Sequence, residues 1–365
     1  MFFRKASESS LEADGRAPLY LSAVEGASTP EGAEGLARLV RTVVFGGTLP
    51  PALKLAMGVR VAQQCQTPYA LAHLKRLAQA AGPAEDRERA SLAVRYADDL
   101  TRDVRGVSDE AFERVKTRFN DAQVVELTMA TCFFNYFSRL TAGLGLTPEP
   151  WLATTRPSLP KPTENPLSVA RIALASDAEL AMAVTMEERR KNADISPKNG
   201  LGIGIANSQR AMVRVPDIQA AWSGRFGSGR LVPRSTMLQV SLAVSKVNGC
   251  RYCVLHQVMG LRRQGVEIGK LLAMEKSDDA LAPEEKAAVD FARKLTRSPG
   301  ALTQEDRAAL EKSFPGKAAF EVLNQTCTFA FMNRFTDGLR LPSEDEAVKI
   351  YLETYGKNHP ERKYK

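Results

Sequence analysis

The 365-residue chain has three histidines and two tryptophans, and its five cysteines include only one closely spaced pair. No run of 18 apolar residues occurs, so no transmembrane helix is expected. The start, MFFRKASESSLEADGR, lacks an apolar core of signal-peptide length and turns acidic quickly, which makes a cytoplasmic protein the expectation. An odd cysteine count without a leader argues against a secreted disulfide framework. Alternating strand patterns are also missing. The run Gly200-Leu201-Gly202-Ile203-Gly204 follows no strand and does not have dinucleotide-binding spacing.

The formal net charge is +8, but the 50 basic residues are scattered among 42 acidic ones. The one dense basic cluster is the tail Lys357 to Lys365. No stripe on a single face points to phosphate binding, so no nucleic-acid partner is expected, and no membrane partner either.

Apolar residues instead recur at three and four in ARLVRTVV, LKLAMGVRVA, MLQVSLAVSKV and EEKAAVDFARKL, which is the helical period. Pro283 before Glu284-Glu285, and Thr303 with Asp306, read as helix starts. The expectation is an all-α fold.

The chain also resembles itself. YADDLTR, SDEAFERVKTRF and VVELTMATCFFNYFSRLTAGLGL recur as FARKLTR, TQEDRAALEKSF and FEVLNQTCTFAFMNRFTDGLRL, without a gap at an offset of 195. Phe119 pairs with Phe314, Glu126 with Glu321, Cys132 with Cys327 and Arg139 with Arg334. Upstream the offset changes, and CQTPYALAHL lines up with NGCRYCVLHQ: Tyr69 falls on Tyr252 and His73 on His256, while Thr67 and Ala70 stand in place of Cys250 and Cys253. The chain reads as a tandem duplication of about six helices per copy. The expected boundaries are an N-terminal extension (1–30), a thiol-free copy (31–146), a linker with six prolines (147–166), a thiol-bearing copy (167–342) and a basic tail (343–365). Within the second copy, 167–192 reads as a helix.

Cys65, Cys132 and Cys327 stand alone among apolar or amide neighbours and read as core residues. The Cys250–Cys253 pair has three readings: redox dithiol, metal ligands, or inert core thiols. A structural zinc site wants four ligands, and the chain has no second Cys-x-x-Cys, so no metal is expected. A thioredoxin fold would need strands. Asn248 is placed to cap a new helix, with both cysteines near its start and about 60° apart around it. Backbone donors there favour a thiolate, and the spacing lets the sulfurs close a disulfide.

The segment NGCRYCVLHQ, with the FNYFSRLTAGLGL and MNRFTDGLRLP helices, resembles the alkylhydroperoxidase D-like / carboxymuconolactone decarboxylase superfamily. The likeness spans about 40–150 and 205–342. It implies an all-helical, oligomer-forming protein in which Cys250 and Cys253 reduce a hydroperoxide and an external dithiol or thioredoxin-like donor resets them, without a cofactor. It also implies a proton relay: a glutamate roughly three helical turns before the first cysteine and a histidine about one turn after the second. Leu238 and Gln239 occupy the first place, Gln257 the second, and His256 stands one residue early. With Cys250 at 0° around the helix, Cys253 lies near about 300°, Gln257 near about 340° and His256 near about 240°. His256 is therefore expected to reach Cys253 and not Cys250. Tyr252, Asn248 and Gln257 are expected to support the site.

Arg139 and Arg334 recur in both copies as acid-binding or ion-pairing candidates. The phenylalanines at 133, 134, 137, 329, 331 and 335, with Trp151 and Trp222, are expected in the core or at contacts. For Glu126 and Glu321 a surface or inter-helix role is expected. Two other functions fit the resemblance: a lactone decarboxylase-type acid/base enzyme, and a degenerate scaffold with a vestigial dithiol.

Overall fold

The computed structural model describes residues 30–148, 206–212, 215, 218, 222 and 231–356. The N-terminal extension, most of the proline-rich linker with Trp151, the helix expected over 167–192, the 200–204 glycine run and the basic cluster from Lys357 lie outside the described residues.

Among the described residues there are fourteen α-helices and no strand. The N-terminal half comprises α1 (Pro30–Val40), which continues through a π-helical turn, α2 (Pro51–Gln64), α3 (Pro68–Ala81), α4 (Arg87–Arg102), α5 (Asp109–Lys116) and α6 (Asp121–Gly143). The C-terminal half comprises α7 (Asn207–Met212), α8 (Arg234–Asn248), α9 (Arg251–Arg263), α10 (Ile268–Lys276), α11 (Pro283–Arg297), α12 (Gln304–Ser313), α13 (Lys317–Gly338) and α14 (Asp345–Tyr355). The order α2–α6 recurs as α8, α9, α11, α12 and α13, with α10 between the second and third.

Local chemistry sets these boundaries. Pro51, Pro68 and Pro283 open helices where a missing N–H costs nothing. Asn120 and Gln123 form a reciprocal capping box at α6, as Thr303 and Asp306 do at α12. Residues 343–356 do not begin as a tail. Ala347 and Tyr351, one turn apart, are buried on the α9 side of the molecule and hold α14 down.

α6 and α13 are buried nearly all round and pack on each other. A Cβ on Gly143 would lie 2.1 Å from Leu323, and one on Gly338 3.5 Å from Thr128 and 3.0 Å from Leu100. Residues 143 and 338, like 128 and 323, are 195 apart, so each half leaves room for the other at the same place. The Trp222 indole stacks on Phe331 at 3.7 Å and meets Tyr136 edge-on at 5.7 Å, joining both long helices.

The two recurring arginines cross this seam. Arg139 donates to the Thr296 carbonyl at 3.4 Å, and Arg334 to the Thr101 carbonyl at 3.0 Å. No ion pair to either occurs among the described residues, which corrects the expectation of an acid partner. The carbonyls they meet belong to the last turns of α11 and α4, which need donors from outside the helix. Burial, with the nearby Arg139 charge, pulls Arg334 down to about 9.

The glutamates of the same helices tie down the loops before α2 and α8. Glu126 accepts from Thr48 N at 2.9 Å and Leu49 N at 3.2 Å, and Glu321 from Leu231 N and Val232 N at 2.9 and 3.0 Å. Glu126 is fully buried, and Lys54 Nζ meets it at 2.9 Å. Burial lowers the Lys54 pKa, against the pull of Glu126.

Replacing Lys54 by methionine, the residue at the corresponding place in the other half (Met237), strands the buried Glu126 carboxylate. The expected loss is about 3–5 kcal/mol of unfolding free energy by urea titration. An unchanged midpoint would contradict this packing.

Candidate active site around Cys250 and Cys253

The site lies where α8 gives way to α9. Gly249, at φ +68°, closes α8 in the left-handed region that a side chain disfavours. The chain then leaves the helix with Cys250 extended at the N-cap of α9, and the Cys250 sulfur accepts from Cys253 N at 3.4 Å. Asn248 therefore does not cap α9 as the sequence suggested. The glycine reversal moves the start two residues on, and the Asn248 amide donates to Asn333 at 2.8 Å instead.

Both cysteines are unbonded and buried. Their sulfurs lie 3.4 Å (Cys250) and 3.6 Å (Cys253) from one hydroxyl, Thr336 Oγ1 on α13. Burial, and the proximity of Cys253 and Asp337, push the Cys250 thiol well above its ordinary value. The expectation of a helix-start thiolate thus fails for Cys250 in this conformation, because desolvation outweighs the backbone donors.

The site also holds an acid that sequence reasoning missed. Asp337, next along α13, lies beside the Cys250 thiol. Burial raises its carboxyl to about 7, against the charge of Arg105, a hydrogen bond with Cys250 and the charge of Arg251. Its Oδ2 has no hydrogen-bond partner among the described residues. A signal did exist in the sequence. At the 195 offset Asp337 corresponds to Ala142, so the acid is absent from the half that has no thiols.

His256 is engaged elsewhere. Its ring stacks on Tyr252 at 4.2 Å, Nδ1 is 2.6 Å from the Tyr252 carbonyl, and Nε2 is 2.6 Å from Glu344 Oε2. No hydrogen bond joins it to either sulfur among the described residues, so the expected reach to Cys253 is not made. Tyr69 and His73 form a similar ring pair at 4.3 Å in the thiol-free half. Tyr252 donates to Glu344 at 2.9 Å, and Glu344 also accepts from Asn207 N at 2.6 Å. Burial raises the Glu344 pKa, but contact with His256 and the backbone donor outweigh it and the carboxyl is held below its usual range. This network pins α7, α9 and α14 together.

Gln257 is buried, and its Oε1 has no partner among the described residues. Leu238 joins the apolar cluster with Val254 and Leu255, and Gln239 donates to Glu285 at 2.9 Å, so neither stands in for an acid.

No protein-family model matches the chain, and no curated protein matches it. Two crystal structures of the debrominase Bmp8 are similar to it at a TM-score of 0.39 each. One is the apo form (22% identity) and one a variant in complex with 2,3,4-tribromopyrrole (21%). Each covers 47% of this chain, and 95% and 94% of their own chains are covered respectively.

Two predictions follow from this geometry. A carboxyl held near 7 in the fold but near about 4 when unfolded binds its proton more tightly in the folded state. Its contribution is full below about pH 4 and is lost as pH rises through about 7. The wild-type urea midpoint should therefore fall between pH 5 and 7.5 relative to Asp337→Asn, and parallel curves would contradict the assignment. His256→Phe should cost about 1–3 kcal/mol by leaving Glu344 Oε2 without its histidine partner. It should leave the rate of Cys250 alkylation unchanged, because His256 contacts neither sulfur; a clear slowing would make the histidine the working base.

Proposed function

We propose that Cys250 and Cys253 form a redox dithiol that reduces a hydroperoxide, with Asp337 taking the proton that the sequence relay no longer handles. The observation that carries this reading is the juxtaposition of two unbonded thiols at one hydroxyl with a carboxyl that titrates near neutrality. Asp337 accepts the Cys250 proton, and the thiolate attacks the peroxide oxygen. The O–O bond breaks, Cys250 takes the terminal OH and becomes a sulfenic acid, and the leaving alkoxide takes the proton back from Asp337 to depart as the alcohol. Cys253 displaces water from it to close the disulfide. An external dithiol then supplies two electrons and two protons to restore both thiols. A general base typically contributes about 10²- to 10⁴-fold to such a step.

In this reading the chain is a member of the alkylhydroperoxidase D-like / carboxymuconolactone decarboxylase group, built as a tandem duplication whose first copy lost its thiols. The recurring helix order and the paired contacts of Arg139 with Arg334 and of Glu126 with Glu321 support that history. The deep burial of both sulfurs favours the second reading, a scaffold with an inert dithiol.

The test is peroxide consumption by the reduced protein, with peptide mapping of its cysteines. The wild type should form the Cys250–Cys253 disulfide, Cys250→Ser and Cys253→Ser should not, and Asp337→Asn should slow the reaction about 10²-fold. Consumption no faster than by a free thiol, identical in all variants, would establish the scaffold reading.

A further inference from the structure

The thiol-free half contributes a charge to the dithiol site. A Cβ built on Gly249 would lie 2.9 Å from Arg105 Nη2, so the guanidinium rests against the backbone immediately before Cys250. Arg105 belongs to the loop between α4 and α5, on the other half of the molecule. That loop is fastened to the thiol-bearing half by Arg340, which donates to the Val107 carbonyl at 3.2 Å and pairs with Asp109. Within it, Arg105 N donates to Asp103 Oδ1 at 2.9 Å.

The corresponding contact on the other side of the molecule has its partners exchanged. Position 300 corresponds to 105 at the 195 offset, and Gln66 corresponds to Gly249 at the offset of Tyr69 on Tyr252. There Gly300 is the glycine, and a Cβ on it would come 2.2 Å from the Gln66 carbonyl oxygen. Gln66 keeps the positive φ, +54°, that Gly249 adopts. One loop-on-helix-start contact is thus built twice, once with arginine over glycine and once with glycine over glutamine. Packing alone would be served by either version. The cationic version falls on the half that also carries Cys250, Cys253 and Asp337. At that second contact Thr67, Thr141 and Ala142 of the thiol-free half, with Gly300 and Arg307 of the thiol-bearing half, line a hollow of about 200 Å³.

We propose that Arg105 is a positioning residue of the dithiol site, supplied across the interface between the halves, whose charge favours the ionised form of the Cys250–Asp337 pair. This rests on Cys250 reacting as a thiolate. The groups facing that pair are Cys253 and Arg251 on α9, Thr336 on α13, and Arg105 with Asp103 on the loop. Arg105 and Arg251 pull toward the anion, while Asp103 and a second thiolate oppose it. Arg105 is an exposed residue outside the apolar core, so its replacement leaves the core untouched.

The test is the pH profile of Cys250 alkylation by iodoacetamide in the full-length protein, read by peptide mass spectrometry, with far-UV circular dichroism as the fold control. Arg105→Gln should move the midpoint up by about one pH unit, Arg105→Glu should move it further, and Arg105→Lys should restore most of the wild-type profile. Superimposable profiles for wild type, Gln and Glu would overturn the proposal. If the wild type forms no disulfide with peroxide yet the profiles shift in this order, the peroxidase reading fails and the role of Arg105 stands.

Discussion

The arrangement depends on the crossing of α6 and α13, and above all on the two guanidinium groups that pass through it. Arg139 reaches the last turn of α11 and Arg334 the last turn of α4. Helix ends buried without donors are costly, so each half completes the other's helix. The loops that follow those helices then have nowhere to go but over the opposite half. Arg105 comes to rest on Gly249, just before α9, and Pro299, Gly300 and Leu302 lie near the start of α3. The composite character of the thiol site follows from this seam and from nothing local to the Cys-x-x-Cys motif.

At the site itself burial and ionisation oppose each other. A helix start favours a thiolate through its backbone donors, and Cys250 does take the Cys253 N–H. Enclosure by α8, α9 and α13 disfavours charge more strongly, and it raises Cys250 and Asp337 together. Two acids raised side by side behave as one proton-exchanging unit. The net charge of that unit is set by the cations nearby, Arg105 and Arg251. His256 stands outside that unit, engaged with Tyr252 and Glu344.

Much of this was legible in the sequence. The 3.6-residue period gave an all-helical chain, the Thr303–Asp306 cap lay where expected, and the internal alignment placed the thiols in one half only. Other features were hidden for physical reasons. A glycine in the left-handed region ends α8 and makes Cys250 itself the cap, a backbone event that residue preferences assigned to Asn248. Asp337 lies more than eighty residues from Cys250 in the chain, inside a helix where an acid normally reads as solvated surface. Arg105 belongs to a loop of the other half, and no spacing rule links it to the motif. Both left a trace in the alignment, as Ala142 opposite Asp337 and Gly300 opposite Arg105. Differences between the halves carried more information about the site than their similarities did.

The most direct test of the central claim is a redox titration of Cys250 and Cys253 in the intact protein against a graded thiol–disulfide buffer, with both residues followed by mass. The account predicts a reversible two-electron couple confined to that pair, with Cys65, Cys132 and Cys327 remaining reduced throughout. Thiols that stay reduced across the whole range, or that oxidise singly to sulfinic acid without forming the disulfide, would contradict it.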